Sequence, residues 1–272
     1  MTQDQTIDKP KISVAINTYN ASLHLRRVLE SVKMFDEIVV CDMESTDDTV
    51  EIARSKGCKI VTFPKGNYSI CEPARNCAIQ SASNSWVLVV DADELVTDEL
   101  RQYLYRRVAQ PDCPDALYVP RRNMFLGKYI HSSPDYQLRL VRKEKTDWPA
   151  VIHRPPVVDG VIGRIPANLH RVCLMHLDDA CISDRINKLN RYTDYEVGKR
   201  INKKYGYLSI LCRPIWFFIR SFIFQGGFRD GKRGLLKSYF DSIYQVSLMA
   251  KVLERALLEH KIKDETHPDS NK

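Results

Sequence analysis

Apolar residues follow two alternating patterns over residues 11–90 of the chain. Short continuous apolar runs, typical of strands buried on both faces, alternate with segments whose apolar residues recur at helical spacing. The runs predict strands at residues 11–16, 37–41, 58–63 and 86–90. The helical segments lie at residues 20–32, 49–55 and 72–82. This repeated β-α-β order predicts a doubly wound sheet joined by right-handed crossovers.

Small polar residues and one glycine mark the expected helix ends. Asn20 is predicted to cap the first helix, and Ser45 or Thr46 the second, because these residue types accept hydrogen bonds from first-turn amides. Gly57 is predicted to end the second helix.

Polar clusters follow three of the predicted strands, at residues 17–20, 42–47 and 91–94. Ligands of doubly wound sheets bind beyond the carboxyl ends of the strands, so these clusters predict a single binding edge. The alternative is that they are only turn and cap residues, which Asn, Asp and Ser favour.

The pattern is less regular in the second half. Strands are predicted at residues 115–120 and 136–142, with an exposed loop at 121–134 between them. Helices are predicted at residues 184–205, 208–224 and 235–259, with a glycine-rich turn at 226–234.

Charge is distributed unevenly along the 272 residues, whose net charge is +7. Residues 1–120 carry 13 Lys and Arg against 18 Asp and Glu, whereas residues 121–272 carry 28 against 16. The basic half indicates an anionic partner: nucleic acid, phospholipid head groups or a phosphorylated glycan. The alternative is a well-solvated surface with no such partner. Nucleic acid is not expected, because aromatic residues do not interleave with the basic clusters.

The eight cysteines form no C-x-x-C pair, which argues against a zinc knuckle or a thioredoxin-like motif. The chain shows no signal peptide at its start. Reduced thiols in the cytoplasm are therefore the simplest interpretation.

The predicted helix at residues 208–224 carries Arg213 and Arg220 on one face. Its opposite face carries Leu211, Ile215, Phe218 and Phe222. With further basic residues around it, this helix is typical of one lying on an anionic membrane surface, and a buried core helix is the alternative. This helix is not predicted to span a membrane, because Arg213, Pro214 and Arg220 interrupt its apolar residues.

Two aspartates, Asp91 and Asp93, directly follow the fourth predicted strand. Carboxylates suit Mg²⁺ or Mn²⁺, and either ion bridges diphosphate oxygens. The chemistry that this arrangement would serve is Lewis-acid assistance to a leaving nucleoside diphosphate.

The motifs SVAINTYN, DMESTDDT and DADE, in this order, resemble the nucleotide-sugar-binding domain of family 2 glycosyltransferases. RRNMFLGKYI, PDYQLRLVRK, INKLNRY and GGFRDGKRGLLKSYFDSIYQ resemble the branch of that family that acts on the inner core of bacterial lipopolysaccharide. The resemblance implies a GT-A, Rossmann-like α/β fold with a mixed, mostly parallel central sheet. It places a catalytic domain at residues 1–180, with a donor half at 10–100 and an acceptor half at 101–180, and a helical extension at 181–272.

The same resemblance implies roles for residues of the first two motifs. Thr18, Tyr19 and Asn20 would line the nucleoside pocket. Asp42 would hydrogen-bond the uracil ring of a UDP-sugar donor.

The later motifs imply the diphosphate and metal site. Arg75 and Asn76 would lie near the diphosphate. Asp91 and Asp93 match the family's D-x-D, with Asp93 as the direct metal ligand. His176 would be a further metal or diphosphate ligand, and the alternative for His176 is a structural role.

The chain departs from the family in two places. Met43 and Glu44 stand where relatives usually have Ser-Gly, which adds bulk and charge near the donor. Arg154 stands where the branch commonly has the Glu of a His-Glu pair. If that Glu was the catalytic base, this chain lacks it.

An inverting transferase needs a carboxylate to accept the proton of the attacking hydroxyl. Asp135 is the first candidate and Glu94 the second; the alternative for Asp135 is an ion pair with Arg139. Arg139 and Arg142 are also candidates for phosphate binding or for surface charge.

These patterns predict an inverting, metal-dependent glycosyltransferase that moves a hexose, glucose by resemblance, from a UDP-sugar. The expected acceptor is a phosphorylated or lipid-linked core glycan, at the inner face of the cytoplasmic membrane. A catalytically inactive nucleotide-binding relative and a nucleic-acid-binding protein are the alternatives. A nucleotidyltransferase is disfavoured, because no glycine-rich phosphate loop follows the first strand.

Overall fold

The computed structural model describes residues 9–68, 72–132, 135–149, 156–178 and 180–266. Its strands are β1 (Ile12–Thr18), β2 (Glu37–Asp42), β3 (Lys59–Thr62), β4 (Trp86–Asp91), β5 (Glu94–Val96), β6 (Ala116–Phe125), β7 (Lys128–Tyr129), β8 (Asp135–Arg142), β9 (Thr146–Asp147), β10 (Val157–Val158), β11 (Ile162–Arg164) and β12 (Leu174–His176). Its helices are α1 (Ser22–Val32), α2 (Thr49–Ser55), α3 (Arg75–Gln80), α4 (Asp98–Val108), α5 (Ile182–Arg200), α6 (Tyr207–Ile219) and α7 (Gly231–Thr266). The four strands and three helices predicted before residue 91 are confirmed.

The strands β3, β2, β1 and β4 lie side by side and run parallel. β8 continues the sheet antiparallel to β4, and β6 is antiparallel to β8. β12 is parallel to β6, and β5 at the edge is antiparallel to β12. β11 and β7 also pair with β6, and β9 and β10 form a separate two-stranded sheet. The sheet is therefore mixed and mostly parallel, as the resemblance implied.

Every residue of β1 is buried, because the sheet is covered on both faces. Ile12, Val14 and Ile16 belong to the core beneath α1, whose buried residues recur at helical spacing. Ala15 points to the other face and packs in the core that includes Ala78 of α3. The short apolar runs thus reflect burial on two sides.

The helix caps predicted from the sequence are wrong for α1 and α2. Neither Asn20 nor Ser45 nor Thr46 is an N-cap residue; the caps are Ala21 and Asp48, and neither makes a side-chain cap bond. Instead Asp47 accepts the Ser22 amide of α1 at 3.1 Å and the Thr49 amide of α2 at 3.0 Å. One carboxylate therefore joins both helix starts, a tertiary arrangement that local capping rules do not predict.

Burial opposes ionisation of Asp47, but the hydrogen bonds from Thr49 and Ser22 prevail and lower its pKa to about 2. The end of α2 is as predicted. Gly57 follows the helix with φ +72°, a conformation that glycine adopts without strain.

The chain after β4 contains elements that the sequence pattern did not indicate. α4 follows a Thr97 cap that accepts the Leu100 amide at 3.2 Å, and β5 and β12 complete the sheet edge. The exposed loop predicted at 121–134 is wrong, because β6 continues to Phe125 and forms a hairpin with β7. α7 begins at Gly231, inside the predicted glycine-rich turn.

The chain divides into two compact units: residues 1–123 with 134–177, and residues 124–133 with 178–272. In the second unit, the tip of the β6–β7 hairpin and the segment after it contact the C-terminal helices. Asp230 accepts the amides of His131 and Ser132 at 2.8 and 2.9 Å. Arg233 donates to the Leu126 carbonyl at 3.0 Å.

One helical segment among the described residues, Tyr207–Phe224, is long and apolar enough to cross a membrane by length and composition. It has 18 residues, a mean hydropathy of 1.4, and only 6% of it is buried. Arg213, Pro214 and Arg220 therefore do not keep this segment from meeting the criterion, and the expectation that it does not span stays a prediction. The alternative of a buried core helix is also not observed, because Leu211 and Ile215 are exposed.

Candidate active site

The loops that follow β1 and β2 are held together by polar side chains. Thr18 Oγ1 donates to Asp42 Oδ1 at 2.8 Å, because β1 and β2 pair these two residues in register. Asp42 also accepts the amide and hydroxyl of Ser45 at 2.8 and 2.6 Å. Asn20, at φ +49°, accepts the Thr46 amide at 2.8 Å. Three residues predicted to bind the nucleoside, Thr18, Asn20 and Asp42, therefore hold the two loops together. Asp42 is itself buried.

A cavity of about 450 Å³ opens beside these loops. The register Asn17↔Asp91 between β1 and β4 brings the first and third polar clusters to this edge of the sheet. The cavity is lined by Asn17, Tyr19, Asn20, Ala21, Leu23, His24, Arg75, Asp91, Ala92, Asp93 and His176. Six of the residues predicted to form the site, from four separate parts of the sequence, thus share one cavity.

Asp93 and His176 contact each other in the cavity wall. His176 Nε2 lies 3.3 Å from Asp93 Oδ2, and its Nδ1 lies 2.9 Å from Asn123 Oδ1. They meet because β12 pairs with β5, which starts one residue after Asp93. Burial acts to lower the pKa of His176, but the Asp93 carboxylate outweighs it and raises that pKa.

The two side chains offer a carboxylate oxygen and an imidazole nitrogen, a donor set that suits Mn²⁺ and is acceptable to Mg²⁺. Among the described residues, no group of three or more His, Cys, Asp and Glu side chains converges as a metal site. A metal held here would therefore keep several coordination positions for diphosphate oxygens and water.

Asp91 is not a second open ligand. Arg75 donates to Asp91 Oδ1 at 2.6 Å, and Arg139 pairs with both Asp91 oxygens. Burial opposes ionisation, but these two arginines hold the pKa of Asp91 well below its usual range. Within the D-x-D, Asp91 is therefore held by arginines, and the Asp93 carboxylate is the more exposed one.

Glu94 is fully buried and both of its oxygens are hydrogen-bonded. Its Oε1 accepts from Arg121 at 3.0 Å and from Arg139 at 2.8 Å, and its Oε2 accepts the Asp91 amide at 3.1 Å. Glu94 has no solvent exposure and does not line the cavity. The structure thus argues against the second base candidate.

Arg139 is buried in the same ion-pair network, so all three expectations for it, surface charge included, are wrong. It does not pair with Asp135, and it is not exposed to bind a phosphate. Arg142, on the same strand, lies over the Trp86 ring and pairs with Asp115 at 3.5 Å.

Asp135 starts β8 and pairs with Arg121 of β6 through two hydrogen bonds of 3.1 and 2.6 Å. Asn123 Nδ2 lies 3.5 Å from Asp135 Oδ1, while Asn123 Oδ1 contacts His176. Asp135 does not line the cavity itself but is connected to it through Asn123 and His176.

Arg121 and Asn123 were missed because residues 121–134 read as a loop. The signal was present in the alternation of Val119, Arg121, Asn123 and Phe125, which a strand places on one face.

Asn76 lies outside the cavity. Its side chain contacts Asp147 Oδ1 at 3.2 Å and accepts the Trp148 amide at 3.2 Å. Arg75 lies over the Trp148 ring at 5.1 Å. Arg75 therefore lines the cavity, whereas Asn76 does not.

Of the two departures from the family pattern, the first adds no bulk to the cavity. Met43 is fully buried in the core, and Glu44, at φ +59°, accepts the Lys65 amide at 3.1 Å. Arg154 lies outside the described residues.

The family model for glycosyl transferase family 2 matches residues 13–154, just over half of the chain. The chain belongs to this family.

Sequence similarity to two relatives covers almost the whole of this chain. The chain is 25% identical over 266 residues to the lipopolysaccharide core biosynthesis glycosyltransferase LpsC of Rhizobium meliloti. The aligned residues make up 93% of this chain and 96% of LpsC. The chain is 27% identical to the uncharacterized glycosyltransferase RT0209 of Rickettsia typhi, over 91% of this chain and 88% of the relative.

A solved structure with a similar fold is the mannosyltransferase PcManGT of Pyrobaculum calidifontis, in complex with GDP-Man and Mn²⁺. The TM-score is 0.52 at 15% identity, with 91% of this chain and 88% of that chain covered. The chain therefore has the GT-A-like fold that the resemblance implied.

Proposed function

We propose that this protein is an inverting hexosyltransferase that moves glucose from UDP-glucose to a lipopolysaccharide core glycan. The observation that carries the proposal is the cavity at the ends of β1 and β4, where Tyr19, Arg75, Asp93 and His176 meet. The acceptor class rests on the similarity to LpsC along nearly its full length.

In this proposal Asp93 and His176 hold a divalent metal ion, because a carboxylate oxygen and an imidazole nitrogen are suitable ligands for such an ion. The metal, when bound, supplies Lewis-acid assistance to the departing nucleoside diphosphate. Tyr19 and Asn20 position the nucleoside. Arg75 donates to the diphosphate from the cavity wall, with its guanidinium already oriented by Asp91 and Trp148.

Asp135 is the proposed base that accepts the proton of the attacking acceptor hydroxyl. It is partly exposed, unlike Glu94, and Arg121 fixes both of its oxygens. Single displacement with inversion requires a base but no protein nucleophile.

Replacing Asp135 with asparagine is expected to lower kcat by about 10²- to 10⁴-fold, which is the usual contribution of a general base. The dissociation constant for the donor should stay unchanged, because Asp135 does not line the cavity. Steady-state kinetics and calorimetry with the donor measure the two effects. Asp112→Asn is the matched control, an exposed carboxylate paired with Arg107. Full activity of Asp135→Asn would show that Asp135 is not the base.

The proposed function is tested by offering purified protein a panel of UDP- and GDP-sugars with Mn²⁺ or with EDTA. Slow, metal-dependent release of UDP from UDP-glucose alone is the expected result. Release of the nucleotide from a different donor would show that the proposed sugar or nucleotide is wrong and would identify the correct one. Absence of both turnover and nucleotide binding would contradict the proposal.

We also propose that the helical segment Tyr207–Phe224 lies in the surface of an anionic membrane, where a lipid-linked acceptor would be found. Arg213 donates to Gln245 of α7, so the apolar side chains of the segment point outward. Exposed cations stand on both sides of the segment along the chain, among them Lys203, Lys204, Arg229 and Lys232. Exposed apolar residues beside cations favour anionic lipid surfaces.

Full-length protein should therefore bind vesicles containing phosphatidylglycerol more tightly than phosphatidylcholine vesicles in flotation assays. Trp216→Glu is expected to weaken binding by at least about tenfold, because it replaces an exposed apolar side chain that the membrane would bury with a charged one. Met34→Glu, at a residue that is also exposed but lies in the other unit, is the control. Equal vesicle binding by both variants would exclude this surface.

A further inference from the structure

The long helix α7 presents two different faces. One face packs within the C-terminal unit, where Ser238, Gln245, Leu248 and Val252 are buried. Residues of this face contact α5 and α6, for example through the core of Val197, Leu248 and Val252.

The other face carries an exposed apolar row, here called the α7 seam. Its members are Leu236, Tyr239, Ile243, Val246, Ala250, Leu253 and Leu257. The six large side chains are 44–60% exposed. Leucine, isoleucine and valine exposed in a continuous row on one helix indicate a surface that is covered in the working molecule.

The spacing of the seam identifies what covers it. Successive members are three and four residues apart in strict alternation, which is the heptad pattern of a helix that packs against another helix. A membrane surface imposes no such 3.5-residue repeat; helices that lie on lipid show a wider apolar face bordered by Lys and Arg.

The charges beside the seam agree with a protein partner. The positions that flank it are Phe240, Ser242, Ser247, Met249, Glu254 and Ala256, which include one charged residue and no cation. Two lysines of α7 near the seam are paired, Lys237 with Asp241 and Lys251 with Asp194. Lys203 and Lys204 line a cavity together with Leu253, at one end of the seam. Two copies of the α7 seam would therefore pack together without placing a row of like charges opposite each other.

The size of the seam suits a dimer. Residues 236–257 cover three heptads, about 32 Å of helix at 1.5 Å per residue. Its six large side chains, each 44–60% exposed, would supply much of the roughly 800 Å² per partner that a stable interface buries.

We propose that the protein forms a homodimer in which the α7 seams of two copies pack as a two-stranded coiled coil. The inference rests on α7 alone and is independent of the donor, the acceptor and the proposed reaction.

Sedimentation velocity of the full-length protein without detergent, over a wide concentration range, tests the proposal. The parent protein should be a dimer, and Ile243→Glu should raise its dissociation constant at least about 100-fold, because it places a charge at an apolar contact. Leu258→Glu, equally exposed on α7 but off the seam, should leave the dimer intact. Circular dichroism establishes that each variant is folded, and Val246→Lys replaces Ile243→Glu if the latter is not.

A parent protein that is monomeric at every concentration would overturn the proposal. A dimer that both seam variants leave intact would also overturn it. If the parent is monomeric and Ile243→Glu lowers vesicle binding, the seam contacts lipid and the second copy is excluded.

Discussion

Replacing Asp93 with alanine is expected to abolish metal-dependent sugar transfer, with kcat falling about 10³-fold or more. The Lewis acid contributes several kcal/mol to such reactions, and each 1.36 kcal/mol is about a tenfold change in rate. Asp93 matters more than Asp91 because the arginines occupy the Asp91 oxygens, while the Asp93 carboxylate contacts only the His176 ring among the described side chains. The measurement is donor hydrolysis with increasing Mn²⁺.

Asp98→Ala provides the comparison, since Asp98 is an exposed aspartate of α4 and forms only a surface pair with Arg101. It should retain parental kcat. UDP binding measured in EDTA should be the same for Asp93→Ala and the parent, because the nucleoside loops are untouched. Parental activity of Asp93→Ala would mean that the metal, if one is used, is held elsewhere.

Replacing Arg139 with methionine is expected to destabilise the fold by about 3–5 kcal/mol, the usual cost of breaking a buried ion pair from one side. Arg139 pairs with Asp91 and Glu94, and Glu94 is fully buried. Without the guanidinium, two carboxylates would lie close together with reduced compensation in the interior. Urea unfolding followed by circular dichroism measures the loss.

Arg142→Met is the matched control on the same strand, because Arg142 is partly exposed and pairs with Asp115. Surface pairs contribute about 0–1 kcal/mol, so its midpoint should change little. Equal unfolding midpoints for Arg139→Met and Arg142→Met would show that the network around Asp91 does not stabilise the fold as proposed.

The sequence by itself determined the parallel half of the sheet. The runs that form β1, β2 and β4 are continuous and apolar because strands covered by helices on both faces must be, and this signal is local. The order of these strands then placed Asn17 and Asp91 at one edge, since parallel strands end on the same side. The family motifs added the roles proposed for Asp93 and His176.

Only the tertiary structure decided which charges pair. Arg139 reads as a surface or phosphate-binding residue, yet the register between β4 and β8 brings it to Asp91 and Glu94, 48 and 45 residues away. The same holds for Arg121 and Asp135, which meet because β6 and β8 are paired. Ion pairs between distant strands depend on register and burial, and neither is encoded in the local spacing of residues.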